Sequence, residues 1–340
     1  MTQSTKGFRL MGLPLSPYTK KVQSYFDFKG IGYEWIQRSM KNEPLFQQHA
    51  KVQLIPLLFL PDGETMQDST PIIERLEQEF PHPSVHPEDR ALWFLSCLFE
   101  EFGDEWCNKL MFFQRWFYPA DAKSTGDRLA GYRLEGQWWA ALGKPVLSHL
   151  MVRRMVPRLS FAGANETNIP QLKQSFIDLS AMLDAHFAKR RYLLGDRPCF
   201  GDFGLWCNLH QAWTDPTANA YLEAHAPKLV AYIKRMLSPK VEGDFEPLAD
   251  LLPTLEPILA SEVAGRFLPW MAANHEAWAK GEKETSLTMK GAAFQQKTFK
   301  YQAATLDELR RKFASVADDT ELLAVLDRTG CLPFLKPAQA

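Results

Sequence analysis

The sequence predicts an α+β fold: an α/β layer near the N-terminus, then a domain built of helices. Three observations predict it. Strand-like apolar runs alternate with helical patterns through roughly the first 80 residues. Residues 81–87, Pro-His-Pro-Ser-Val-His-Pro, form a proline-stiffened connector. From Glu88 to about Met236, apolar residues recur at helical spacing.

The α/β layer reads in the order βαβ, short helix, ββα. Residues 8–13 make a strand by their apolar content and stop at Pro14. Residues 17–29 follow as a helix. Ser16 is its N-cap, and Pro17 takes the first position, where a missing N–H loses no helical partner. A hydroxyl at the positive end of a helix dipole, at a strand's carboxyl end, suits a bound anion. Gly30 and Gly32 end the helix, and the strand over 33–37 closes a right-handed βαβ unit. Asn42 caps a short helix over 44–49. Residues 55–60 and 64–67, joined at Asp62-Gly63, make a hairpin. Residues 71–80 form a helix with Ile72, Ile73, Leu76 and Phe80 on one face.

Past the connector, Leu172, Phe176, Leu179, Leu183 and Phe187 make one apolar stripe, and Leu205, Leu209, Ala212 and Trp213 another. Pro145 and Pro157 are expected to kink or end the helix around 136–156. After residue 238 the chain is punctuated by prolines. There Thr305 with Glu308 reads as a capping box opening a helix, and a last helix over 321–328 ends at Gly330. The expected divisions are an α/β domain over 7–80, a connector over 81–88, an all-helical domain over 89–238 and a helical extension over 239–340. The extension shows no core of its own and is expected to pack on the helical domain.

With 46% hydrophobic and 23% charged residues, the composition is that of a soluble globular protein. A net charge of −1 leaves no footprint for nucleic acid or an acidic membrane surface, and no apolar run approaches a membrane span. The polar start lacks the apolar core of a signal peptide. Five cysteines without a CxxC pair or zinc spacing suit reduced thiols and a cytoplasmic protein. His82 and His86 lie in extended proline-rich backbone with no converging partners, so no metal site is expected. Glu100, Glu101, Asp104 and Glu105 read as a solvated or arginine-paired helix face.

With this organisation in place, the chain resembles the glutathione transferase superfamily over roughly residues 8–236. Ser16-Pro17-Tyr18-Thr19-Lys20-Lys21-Val22 looks like the start of the first helix in serine-type, tau-like members; omega-like members carry a cysteine where Ser16 stands. Ile55-Pro56 is similar to the family's cis-proline pair, and Gln67-Asp68-Ser69 to its acid-serine pair. The stretch from Gly195 to Phe203 resembles the family's buried capping motif, with Cys199 in place of the usual serine or threonine and Asp202 reaching back to cap.

The resemblance implies a thioredoxin-like domain followed by the family's all-α domain, with glutathione as co-substrate. In it, Ser16 donates a hydrogen bond to the glutathione sulfur, with Tyr18 as the rival donor. The backbone of Ile55, ahead of Pro56, binds the cysteinyl part. Asp68 pairs with the γ-glutamyl ammonium and Ser69 with its carboxylate. The family's lysine just ahead of the cis pair is absent; Gln53 and Leu54 stand there, which removes one charge contact to the tripeptide. An apolar electrophile is expected against Tyr18, Phe112 and Trp116, and a homodimer is implied. Because Ser16 is not a cysteine, disulfide exchange is not expected. Two alternatives remain open: a non-catalytic ligand-binding or scaffold protein, and a specialised glutathione-dependent lyase.

Overall fold

Strand β1 (Phe8–Gly12) sits inside a four-stranded sheet of order β2-β1-β3-β4. It pairs parallel with β2 (Tyr33–Gln37) and antiparallel with β3 (Leu57–Phe59), which pairs antiparallel with β4 (Thr65–Gln67). This structure, a computed structural model, describes residues 7–336. The polar start (residues 1–6) and the last four residues of the extension (337–340) lie outside them.

Helix α1 (Pro17–Lys29) crosses between the parallel strands. Side chains alternate faces along a strand, and both faces of the sheet are buried. Leu10 and Leu58 join Val22, Tyr25 and Phe26 of α1 and Ile72, Ile73 and Leu76 of α3 (Ser69–Glu79). Met11, Leu57 and Phe59 point the other way, onto Phe46 of α2 (Glu43–His49). The result is the thioredoxin-like layer that the resemblance implies.

The helical domain runs from α4 (Arg90–Phe102) through a π-helical turn (Gly103–Cys107) into α5 (Asn108–Phe117) and α6 (Pro119–Arg133). Next come α7 (Ala140–Met155), a 3₁₀ turn (Val156–Ser160), α8 (Ile169–Phe187), α9 (Phe200–Trp213), α10 (Pro216–His225) and α11 (Pro227–Arg235). Helix α7 continues through Pro145 in its second turn and stops ahead of Pro157. Helix α9 is buried all round from Phe200 to Ala212. Its first turn is held by Asp202, whose carboxylate accepts from the N–H groups of Cys199 (2.8 Å) and Leu193 (2.9 Å).

The end of α4 and the middle of α9 approach backbone to backbone. A Cβ on Gly103 would stand 2.3 Å from the Gly204 carbonyl carbon, and one on Gly204 2.6 Å from the Glu100 carbonyl oxygen. Only glycine fits such a crossing. It fixes where the residues of the π turn, Asp104 and Glu105, are presented.

The extension comprises α12 (Leu248–Ile258), a π-helical segment (Leu259–Phe267), α13 (Leu268–Ala279), β5 (Glu284–Met289), β6 (Ala292–Lys297), α14 (Lys300–Ala314), α15 (Thr320–Arg328) and α16 (Leu332–Leu335). The expectation of helices alone missed the β5–β6 hairpin, which turns at Lys290-Gly291, both at positive φ (47° and 77°). The capping box expected at Thr305 is also corrected. Helix α14 begins at Lys300, so Thr305 lies inside it, and Glu308 pairs with Arg311 at 2.5 Å. A tertiary contact sets this start: the Asn274 side chain bonds both the N–H (2.9 Å) and the C=O (2.8 Å) of Phe299. Leu306, Leu309, Leu322 and Leu326 of the extension share one continuous hydrophobic cluster with α4, α8 and α9. Among the described residues no helix is long and apolar enough to cross a membrane.

Candidate active site

The register of the sheet brings three loops to one edge. Met11 pairs with Leu57 and Leu57 with Gln67. The chain leaving β1 toward Ser16, the chain entering β3 at Ile55-Pro56 and the chain leaving β4 at Asp68 therefore lie side by side. Strands are about 4.8 Å apart, so β1 to β4 spans about 10 Å, roughly the length of an extended tripeptide. The Ile55–Pro56 bond is cis. Just ahead of it the Gln67 side chain staples the loop, accepting from the N–H of Lys51 (2.8 Å) and donating to the Leu54 carbonyl (2.7 Å); the Leu54 side chain is exposed.

Ser16 caps α1. Its Oγ accepts from the Thr19 N–H at 3.2 Å, so the hydroxyl proton is left for an acceptor outside the helix. The loop ahead of it is gripped by the helical domain through its carbonyls: Gln211 donates to Pro14 O (2.9 Å) and Arg115 to Leu15 O (2.9 Å). Arg115 is buried and paired with Asp215 at 2.7 Å. The position of Ser16 thus depends on α5 and α9 as much as on the sheet.

Tyr18 points away from the cap. Its hydroxyl donates to the Asp104 carbonyl at 3.0 Å, and burial, followed by Asp104 and Glu105, raises its pKa well above the usual tyrosine value. With its proton committed there, Tyr18 is a wall rather than a donor. Ser16, Tyr18, Phe112 and Trp116 line one largely apolar cavity of about 300 Å³.

At the far end of the edge, Asp68 is the N-cap of α3 at φ 77°. A non-glycine residue held there stores roughly 1–3 kcal/mol of strain, a feature that clusters at ligand sites. One carboxylate oxygen accepts from the Thr70 N–H (3.4 Å) and the other from the hydroxyl of Tyr301 in α14 (3.1 Å). The Ser69 hydroxyl is buried without a hydrogen-bond partner, and a buried polar atom left unpaired is costly. An anion at this helix N-terminus would satisfy it.

The acidic run is not the solvated or arginine-paired face that was expected. Glu100, Glu101, Asp104 and Glu105 are all buried, and Glu100 and Asp104 share one lysine as counter-ion. Lys21 of α1 reaches Glu100 at 2.5 Å and Asp104 at 2.7 Å and also bonds Thr70 at 3.0 Å. Burial works against the Lys21 charge, but Asp104 and Glu100 outweigh it and hold its pKa above the ordinary lysine value. One ammonium cannot neutralise two carboxylates: burial pushes Asp104 up, Lys21 pulls it back, Glu100 pushes again, and it lies at about 7. This cluster ties α1, α3 and α4 together directly behind the cap. It escaped sequence reasoning, although a lysine on the buried side of α1 and four acids on one helix were the matching signals. Arg115 escaped too. Among the described residues, no group of three or more His, Cys, Asp or Glu residues could hold a metal, and all five cysteines are free and buried.

Two sequence models match this chain: Glutathione S-transferase, N-terminal domain, over residues 10–84, and Glutathione S-transferase, C-terminal domain, over residues 166–235. A probable glutathione S-transferase of Solanum tuberosum is 32% identical over 83 residues, which is 24% of this chain and 38% of that protein. Glutathione S-transferase U4 of Arabidopsis thaliana is 25% identical over 107 residues, 31% of this chain and 47% of that protein. The matches thus span less than half the length of these relatives. Among solved structures, the β-etherase LigF from Sphingobium sp. strain SYK-6 aligns with a TM-score of 0.47 at 18% identity, over 69% of this chain and 95% of that one. Matching the two domain models in this order, over residues 10–84 and 166–235, the chain is similar to the glutathione transferase superfamily.

Proposed function

We propose that the chain is a glutathione transferase in which Ser16 holds the glutathione sulfur as a thiolate for attack on an apolar electrophile. The observation that carries this is the Ser16 cap: its oxygen is engaged by Thr19, its proton is free, and it borders an apolar cavity. Ile55, Pro56, Asp68 and Ser69 are the proposed tripeptide contacts, spread along the same sheet edge.

The arithmetic is sufficient. A thiol with a pKa near 8.5 is only a few per cent thiolate at pH 7. Lowering that pKa by about two units needs about 2.7 kcal/mol in favour of the anion. A charge-assisted hydrogen bond supplies roughly 1.5–3 kcal/mol, and the end of α1 adds about 0.3–1 kcal/mol, or up to 2 when partly buried. No general base is required. The thiolate forms the S–C bond while the leaving group departs into the cavity between Phe112 and Trp116.

Conjugation of chlorodinitrobenzene tests the reading. Ser16→Ala is expected to lower kcat/KM by about 10–100-fold, the loss of one charge-assisted hydrogen bond, with retention on immobilised glutathione preserved. An unchanged rate overturns it. A non-catalytic binding role is favoured by one observation, the Tyr301 hydroxyl already on Asp68; retention without any conjugation would select that role. Assembly as a homodimer belongs to the same proposal through the family resemblance, and sedimentation velocity checks it. Placement in a reducing, cytoplasmic compartment is supported by the free cysteines.

A further inference from the structure

Among the described residues, Lys21, Lys29, Lys312 and Lys109 have buried side chains, and the first three are answered by carboxylates. Lys21 reaches Glu100 at 2.5 Å, Lys29 reaches Glu77 at 2.7 Å and Lys312 reaches Glu74 at 3.0 Å. Lys109 is different. It is only 4% exposed, yet among the described residues no carboxylate lies within 4.0 Å of its ammonium. Its neighbours are Gln296 Oε1 at 2.7 Å and the Trp270 ring at 3.8 Å from the centroid. Glu105, one turn back on the same helix, is engaged instead by Gln302 Nε2 at 2.9 Å. A buried cation so weakly compensated is expensive, and a methionine would fill the same space at less cost.

Lys109 does not face solid core. It lines a cavity of about 450 Å³ with aromatic walls from Phe112, Phe161 and Phe299 and with Arg158 at its rim. That volume lies within the range of small-molecule sites. Phe112, Asn108 and Met155 belong to the walls of both this cavity and the one beside Ser16, so the two are neighbouring compartments. Gln296, Phe299 and Gln302 come from the extension.

We propose that this compartment binds an aryl carboxylate, its ring against Phe112, Phe161 and Phe299 and its carboxylate on Lys109. Resting on the transferase reading, the anion marks one end of the second substrate, whose electrophilic end reaches toward Ser16. The extension then acts as a specificity element, because Gln296 holds the ammonium in place.

The charged groups around the ammonium are Glu105 on its own helix, Arg158 across the cavity and Lys297, which lies over the Phe161 ring at 5.4 Å. Helix α13, β6 and α14 face the site with Trp270, Gln296 and Gln302, none of which titrates. Burial pulls Lys109 down to about 7, with Glu105 opposing. An arriving carboxylate favours the charged form, so binding takes up a proton, and affinity falls as pH rises through and above that value.

The test is calorimetric titration of the full-length chain, without glutathione, using cinnamate and its neutral counterpart cinnamamide. Cinnamate is expected to bind at least about tenfold tighter, the effect of one charge-assisted hydrogen bond. The preference should shrink at alkaline pH, and the heat should vary with buffer ionisation as a proton is taken up. Lys109→Met should abolish the preference while cinnamamide still binds, and Lys109→Arg should retain it. Equal affinities for acid and amide in the unaltered protein overturn the proposal, as does a preference that survives Lys109→Met. Glutathione takes no part, so cinnamate binding alongside a failed conjugation assay would sink the transferase reading alone.

Discussion

Lys21 and Asp104 show how much of the site is held by charges that never touch a ligand. Removing the ammonium would leave Glu100 and Asp104 buried and unanswered. Lys21→Met is therefore expected to destabilise the fold by about 3–5 kcal/mol, read as a lower urea midpoint with an unchanged slope. Asp104 adds a pH dependence whose sign is fixed. Its pKa in the fold, about 7, lies above the unfolded value of about 3.9, so the folded state binds the extra proton between them. Stability is present in full below the unfolded value and is lost as pH rises toward 7. Urea titrations from pH 4 to 8 should show this loss in the parent protein and a flatter profile in Asp104→Asn; parallel profiles would contradict it. Both residues stand in plain view in the sequence. What periodicity could not convey is that α1 and α4 face each other, because four acids on one helix resemble a solvated surface until the packing partner is known.

At the scale of elements, the α/β layer was legible because each piece carries a local signature: an apolar run ended by Pro14, a Ser-Pro helix start, an Asp-Gly hairpin turn. The β5–β6 hairpin was not legible. Its turn is Lys290-Gly291, lacking the Asn or Asp that usually marks a two-residue turn. Its inward residues, Thr285, Met289, Phe294 and Gln296, mix polar and apolar types and so blur the alternation. The hairpin is held from outside. Asn168, fully buried, donates to Gln295 O at 2.7 Å and accepts from Gln295 N at 3.0 Å. Asn168→Ala is expected to cost about 1–3 kcal/mol through the polar groups left unpaired, with faster amide exchange at Gln295 as the local readout. The same change should loosen Gln296 and, through it, Lys109.

For the molecule as a whole, the extension is part of the core. Phe313 packs on Phe94 with ring centroids 5.4 Å apart, Phe267 on Phe102 at 5.7 Å and Trp270 on Trp106 at 6.0 Å. A chain ended at residue 238 would expose these faces, and it is expected to be insoluble or to bind a hydrophobic dye strongly; a soluble, dye-free truncation would contradict this. The sequence showed that the extension needs a surface to cover, but its contacts join residues some two hundred positions apart, which no local pattern encodes. Tyr301 on Asp68 and Gln302 on Glu105 carry it to the rim of the proposed glutathione site. The central claim is that an anionic sulfur sits where β1 hands over to the capped end of α1. The most direct measurement is a titration of bound glutathione by its ultraviolet thiolate absorbance, in the parent protein and in Ser16→Ala. A bound pKa near 6.5 is expected, about two units below the free thiol, returning toward about 8.5 in the variant. The same pKa in both proteins would contradict the account.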